Sequence, residues 1–215
     1  MTLTIALAKG RLQDETLSRL ARGGVCVAPE DLESRRLRIE DRSGRFRLLL
    51  VKPADVPVYV EYGVADAGVC GSDVLAEHDA DVHEPLDLGF GRCRLAVAAP
   101  VDSAECDYSH VSTLRVATKY PRVAGAYFRH LGVPVELITL SGSVELAPIT
   151  GLAERIVDLV ESGRTLAENG LSVTEVIAEI SARLIVNRAS YQLKRHEIAQ
   201  LIALLDPACG QGDRS

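Results

Sequence analysis

The residues best suited to chemistry lie in one uninterrupted stretch, Glu145 to Leu166, reading ELAPITGLAERIVDLVESGRTL. Within it an apolar run, Ile156 to Val160, leads into Glu161, Ser162, Gly163, Arg164 and Thr165, and Leu166 to Asn169 can then start a helix. A strand, a glycine turn and a helix start in that order aim several backbone N–H groups and two hydroxyls at one point. The helix dipole makes that point favourable for a phosphate. Gly163 admits a close backbone approach that a side chain would block. The same residues also suit a plain N-capped helix after a tight turn. Asp158, on the strand before the loop, is within reach of sugar hydroxyls if a phosphorylated sugar lies there, so the stretch points to a sugar phosphate.

A second constellation, Ala8-Lys9-Gly10-Arg11, directly follows the first apolar run. Two cations flanking a glycine at a strand end offer charge and backbone access, and strand ends are where α/β sheets bind ligands. A solvated basic turn would read the same way. Further basic candidates are Arg35, Arg36, Lys52, Arg92 and Arg94. Of all these, Lys9, Arg11, Arg35 and Lys52 lie near strand ends of one lobe. Other machinery is missing from the sequence. There is no GxxxxGK[ST] and no GxGxxG after a strand, nor HExxH or GxSxG. The five histidines (His78, His83, His110, His130, His196) are scattered, so no metal ligand set is expected.

These residues need elements to hold them. Strands are expected over Leu3 to Leu7, Leu37 to Glu40, Phe46 to Val51 and Ala67 to Cys70. The second and third flank the polar turn Arg42 to Arg45 as a hairpin. Helices are expected over Asp14 to Arg22 and Asp55 to Tyr62, the latter stopped by Gly63, and Gly71-Ser72-Asp73 reads as a helix cap. This is βα alternation with a parallel sheet. From about Gly91 the pattern restarts with strands at Arg94 to Ala99, Arg115 to Ala117 and Val135 to Leu140, and a helix at Pro121 to Leu131. A long strand over Thr174 to Asn187 and a closing helix over Ser190 to Leu205 follow. The expected fold is α/β: two α/β lobes with an intervening cleft. Residues 1–90 with about 176–206 form a discontinuous first lobe, 91–175 form the second with the phosphate loop, and 207–215 form a flexible polar tail.

Composition sets the boundaries. The 215 residues suffice for one large or two small domains. A hydrophobic share of 47% with 25% charged is ordinary for a globular chain. The net charge of −6 excludes a broad nucleic-acid surface, which needs a basic face. Trp is absent and aromatics are 4%, too few for base-stacking platforms. No apolar run reaches the roughly 18 residues of a membrane span, and the N-terminus lacks a signal-peptide pattern. Five cysteines (Cys26, Cys70, Cys93, Cys106, Cys209), odd in number and without CxxC spacing, suit a reducing cytosol.

The fixed positions Glu145, Gly151, Ala153, Ile156, Asp158-Leu159, Ser162-Gly163 and Thr165-Leu166 resemble, without a gap, the signature of the ATP phosphoribosyltransferase family. IALAKGRL, Ser34-Arg35-Arg36-Leu37, VKPADVP, VADAGVCGSDVL, DLGFGRCRLAVA, ATKYP and SARLIVNR resemble further blocks of the same family. The resemblance implies condensation of ATP with 5-phosphoribosyl 1-diphosphate, the first step of histidine biosynthesis, on a fold like the type II periplasmic binding proteins. It implies that Ser162, Gly163, Arg164 and Thr165 cradle the 5-phosphate with Glu161 in the same loop, and that Asp158 and Glu145 contact ribose hydroxyls. Lys9, Arg11, Arg35 and Lys52 match basic positions facing the diphosphate and the ATP phosphates. Relatives usually carry Arg where this chain has Lys52, which is a point charge without a bidentate fork.

Mg²⁺ is expected to arrive on the diphosphate, without a protein cage. Longer relatives continue into a histidine-binding domain. The resemblance to the short form therefore implies dimers of this chain in a hetero-oligomer, a hetero-octamer, with a regulatory subunit resembling histidyl-tRNA synthetase. Neither nucleic acid nor membrane is an expected partner, and the expected compartment is the cytoplasm. Two other readings stay open: a non-catalytic two-lobed small-molecule-binding module, and a scaffolding subunit of a larger complex.

Overall fold

A computed structural model of the chain describes residues 2–103, 108 and 112–206, with Arg11 and Glu33 described in their backbone only. The expected tail at 207–215 lies outside the described residues, as do Cys106, Cys209 and His110. The chain divides into two units, Met1–Gly91 with Ser181–Ser215, and Arg92–Ile180.

In the first unit, β1 (Leu3–Ala8) is followed by α1 (Arg11–Arg22), α2 (Pro29–Glu33), β2 (Arg38–Glu40), β3 (Phe46–Val51) and α3 (Val56–Glu61). Then come β4 (Ala67–Gly71), α4 (Ser72–His78) and β5 (His83–Asp87). Apart from Thr4, β1 is apolar because both of its faces are covered, as expected of a central strand between parallel neighbours. Leu3, Ile5 and Leu7 join one buried cluster with Leu20 of α1. Ala6 and Ala8 join another with Val56 and Val60 of α3. β3 and β4 flank β1 in parallel, with Ala8 opposite Val51 and Leu7 opposite Val69.

The second unit runs β6 (Cys93–Pro100), β7 (Leu114–Thr118), α5 (Pro121–His130), β8 (Val135–Thr139), α6 (Leu146–Ile149), β9 (Arg155–Val160), α7 (Arg164–Glu168) and β10 (Leu171–Ile180). Its sheet has the order β10-β6-β9-β7-β8. β7 is parallel to β8 and β9, whereas β6 is antiparallel to β9 and β10. Ala117 and Ile156 face one apolar layer with Val144, Ala147 and Leu166. Val116 and Val157 face the other with Phe128 of α5.

Four expectations are corrected. The long strand over Thr174 to Asn187 is two strands in different sheets, β10 and β11 (Ala182–Val186). β11 inserts antiparallel between β4 and β5, giving the order β2-β3-β1-β4-β11-β5. The break is at Ser181, whose carbonyl accepts from the Ser72 amide (2.9 Å) and whose amide donates to the Ser72 hydroxyl (3.3 Å). Ser72 thus serves this junction, and α4 has no side-chain cap, unlike the expected Gly71-Ser72-Asp73 cap. With β2 also antiparallel to β3, the sheets are mixed, not purely parallel.

The closing helix is likewise two, α8 (Arg188–Leu193) and α9 (Arg195–Leu205), because Lys194 is non-helical at φ −119, ψ 39. Lys194 turns its ammonium to Asp66 Oδ2 (2.7 Å) and the Thr2 carbonyl (3.3 Å). Arg19 of α1 donates to the carbonyls of Leu88 (2.9 Å) and Leu205 (3.1 Å). These bonds tie the last described residues to the first unit.

Candidate active site

In a parallel pair, residues that leave two neighbouring strands at one register emerge side by side. Ala8 of β1 is opposite Val51 of β3, so Lys9 and Lys52, the next residues, emerge together at one edge of the first sheet. β2 runs antiparallel to β3, and the Leu50 amide donates to the Leu37 carbonyl (2.8 Å), so the residues before β2 begin at that same edge. Arg35 is there, exposed. Its neighbour Arg36 is instead engaged with Asp31 Oδ1 at 3.1 Å. Lys9 and Lys52 are exposed too, and the Arg11 backbone opens α1 at this edge.

Between Lys9 and Arg11 stands Gly10 at φ 114, ψ −156, a conformation that L side chains rarely adopt. The turn from β1 into α1 requires it. Cys70, at the end of β4, is 1% exposed. Burial pushes its thiol up, and the carboxylates of Asp73 and Glu84 push in the same direction. It stays protonated and is no nucleophile. The edge therefore offers cations and backbone amides.

The second unit assembles the phosphate loop in the same way. β9 ends at Val160, Glu161 and Ser162 are exposed, and Gly163 at φ 75, ψ 1 is the N-cap of α7. The Ala167 amide donates to the Gly163 carbonyl (3.0 Å), the first bond of the helix. The Arg164 amide reaches the Ser162 hydroxyl at 3.4 Å. Among the described residues, the Thr165 and Leu166 amides have no acceptor, as the first turn of a helix dictates. Arg164 and Thr165 are exposed.

The expected reason for Gly163 is sharpened here. A Cβ at that position would meet only Val160 Cγ1, at 3.9 Å. Within the chain, then, the left-handed backbone calls for glycine, and crowding does not.

Asp158 is half-buried on the face that Ile156 and Val160 share. Its Oδ1 accepts from the Leu159 amide (2.8 Å). Glu145, also half-buried, leads into α6 next to Val144, whose side chain lies in the apolar layer on that face. Sequence reasoning did not single out Lys119. It follows β7, and the pairs Ala117 with Ile156 and Thr118 with Val157 carry it to a place opposite Asp158. Its Nζ is 3.9 Å from Asp158 Oδ2. The ATKYP block held the signal, but only strand register shows what the lysine faces.

The structure thus gathers Lys9, Arg35, Lys52 and the Arg11 backbone at one sheet edge. It gathers Lys119, Asp158 and the loop Glu161 to Thr165 at the end of β7 and β9 in the other unit. Both groups suit anionic oxygens.

Comparison with known proteins gives the family. The family model for ATP phosphoribosyltransferase, HisG, matches residues 52–207. An ATP phosphoribosyltransferase of Geobacter metallireducens is 49% identical over 205 residues, covering 95% of this chain and 97% of that protein. One of Sorangium cellulosum is 48% identical over 212 residues, covering 99% and 98%. Among solved structures, the ATP phosphoribosyl transferase (HisG:HisZ) complex from Thermotoga maritima has a chain with a TM-score of 0.83 at 35% identity, covering 95% of this chain and 96% of that one. Tv2483 bound to L-arginine has a TM-score of 0.62 at 14% identity, a likeness of fold alone. On this sequence and structure, the chain belongs to the ATP phosphoribosyltransferase family, the enzymes of the first step of histidine biosynthesis.

Proposed function

We propose that this chain condenses ATP with 5-phosphoribosyl 1-diphosphate to N1-(5-phosphoribosyl)-ATP and diphosphate, with Glu161 to Thr165 holding the 5-phosphate. The carrying observation is the turn from β9 into α7, where the left-handed Gly163 and the open Thr165 and Leu166 amides lie within residues 52–207, the stretch that the family model matches. The phosphate lies over those amides, and the Ser162 and Thr165 hydroxyls and the Arg164 guanidinium complete its donors. Asp158 accepts from a ribose hydroxyl, with Glu145 contributing from the start of α6. Lys9, Arg11, Arg35 and Lys52 take the diphosphate and the ATP phosphates.

The chemistry needs orientation and charge more than a nucleophile on the protein. As the bond from the anomeric carbon to the diphosphate breaks, negative charge builds on the leaving oxygen and positive charge on the ribose. Fixed cations stabilise the first, and a nearby carboxylate offsets the second. Adenine N1 supplies the electron pair from the opposite face, so the carbon inverts. Holding both substrates in line supplies much of the rate. Mg²⁺ comes with the diphosphate. The donors at these edges, ammonium groups, guanidinium groups and amides, fit the anionic oxygens of that complex and not a bare metal ion.

The Thermotoga maritima neighbour was solved as a HisG:HisZ complex. By that likeness this chain works as dimers in a hetero-octamer with a subunit resembling histidyl-tRNA synthetase, in the cytoplasm. Among the described residues, no helix is long and apolar enough to cross a membrane.

The test is direct. With the partner subunit supplied, ATP and 5-phosphoribosyl 1-diphosphate should give the absorbance rise of phosphoribosyl-ATP. A binding module would take up ligand without turnover, and no product under these conditions would sink the proposal.

A further inference from the structure

Thr118 donates through its hydroxyl to the Val157 carbonyl (2.7 Å), and that hydroxyl accepts from the Tyr120 amide (2.9 Å). The Leu140 amide donates to the Thr118 carbonyl (3.0 Å), and Pro121 then opens α5. The backbone on either side of Lys119 is therefore clamped. In a sheet, residues two apart share a face. Lys119 stands two beyond Ala117, and Asp158 two beyond Ile156, the register partner of Ala117. Both side chains must point to the same side of the sheet, opposite one another.

Asp158 is further fixed through Oδ1 to the Leu159 amide. Its Oδ2 faces Lys119 Nζ at 3.9 Å, with side-chain exposures of 14% and 38%. That separation is an ion pair too long for a direct hydrogen bond. It matches a different ligand: an alcohol oxygen standing about 2.8 Å from each group. A hydroxyl is donor and acceptor at once, whereas a carboxylate only accepts and an ammonium only donates.

We propose that Lys119 is a substrate-binding residue for the reaction, acting with Asp158 as a donor and acceptor pair that grips one hydroxyl of the sugar. The O–H donates to Asp158, and the same oxygen accepts from the Lys119 ammonium. The pair then reads the presence of the hydroxyl, which neither charge does alone. This inference rests on the reading of Asp158 as the ribose contact. Lys119 is the exposed partner, and at 3.9 Å its contact with Asp158 adds little to folding, so replacing the lysine reports on binding.

The experiment is a double-mutant cycle in the assembled enzyme, following KM and kcat for 5-phosphoribosyl 1-diphosphate in Lys119→Met, Asp158→Asn and the double variant, with Lys119→Arg as rescue. Lys119→Met should raise KM about tenfold, the scale of one hydrogen bond to a charged group, with a smaller change in kcat and an unchanged melting temperature. Asp158→Asn should do the same. The double variant should be little worse than the poorer single, because both hold the same hydroxyl, and Lys119→Arg should recover most of the loss. Additive losses would mean that Lys119 meets another part of the substrate, and would overturn the proposal. A normal KM in Lys119→Met beside a raised one in Asp158→Asn would overturn it alone. A normal KM in Asp158→Asn would overturn the ribose reading itself.

Discussion

Replacing Gly163 separates two reasons for a glycine in a phosphate loop. Its φ is 75, and a Cβ there would meet only Val160 Cγ1 at 3.9 Å, an ordinary contact. The protein has room for alanine, so the penalty is the left-handed backbone, about 1–2 kcal/mol for an L residue. Glu161, Ser162, Arg164 and Thr165 around it are exposed. In the free variant the loop can therefore relax to negative φ at little cost to the fold, and the amides of the first turn of α7 lose their common aim. Phosphate must then draw the loop back. The strain appears in the apparent Kd, as a roughly 5- to 30-fold loss for Gly163→Ala. Asparagine tolerates the left-handed region better and valine worse. Calorimetric titration with 5-phosphoribosyl 1-diphosphate should rank affinity as Gly, Asn, Ala, Val, with melting temperatures nearly constant. If Asn binds more weakly than Ala, side-chain bulk against the ligand sets the cost and the strain reasoning is refuted. Unchanged affinity in all three variants would place the phosphate elsewhere.

Two further outcomes concern the scaffold. Asp66 accepts from Lys194 (2.7 Å), the Thr4 amide (2.8 Å) and the Ser190 hydroxyl (2.7 Å). Burial pushes its carboxyl up, but Lys194, Thr4 and Ser190 outweigh that and hold it below the usual carboxylate range. Its stabilisation is therefore fully present above the unfolded value of about 3.9 and is lost as pH falls through the lower folded value. Asp66→Asn should cost about 2–3 kcal/mol in urea unfolding at pH 7, and the gap to the parent should narrow below about pH 4; a gap that does not change with pH would contradict this. Thr118→Val removes a buried hydroxyl that serves both Val157 and Tyr120. It should destabilise by about 1–3 kcal/mol, while Thr118→Ser keeps most of the stability; equal losses would show that the methyl, not the hydroxyl, matters.

Element positions were largely legible because the apolar runs are short and well punctuated. β1, β3, β4, β6, β8 and β9 each fall within a residue or two of the expected strand. The failures occur where punctuation is missing. From Val173 to Val186 no Gly or Pro interrupts a β-branched, Ile-rich run, so nothing local marks Ser181 as the point where the chain leaves one sheet for the other. Lys194 is equally silent. It is a good helix former by propensity, and a buried Asp66 far away in sequence draws it out of the helix. Short pieces such as α2, α6 and β5 lack the length for periodicity to show.

The candidate site divides along the same line. The loop from Glu161 to Thr165 is contiguous, so residue types and spacing were enough to find it. Lys119 belongs to a meeting of two strands, and in ATKYP it looks like an ordinary charged turn. Only the pairing of Thr118 with Val157 sets it against Asp158, just as the pairing of Ala8 with Val51 brings Lys9 and Lys52 together. A chain with a net charge of −6 that handles polyanions must hold its few useful cations in place, and strand register is a stiff way to do so. Sliding β7 by one residue against β9 would turn Lys119 to the opposite face and bury it against the layer that holds Val116 and Phe128. The apolar alternation of β7 that builds the core therefore also fixes which charge meets Asp158.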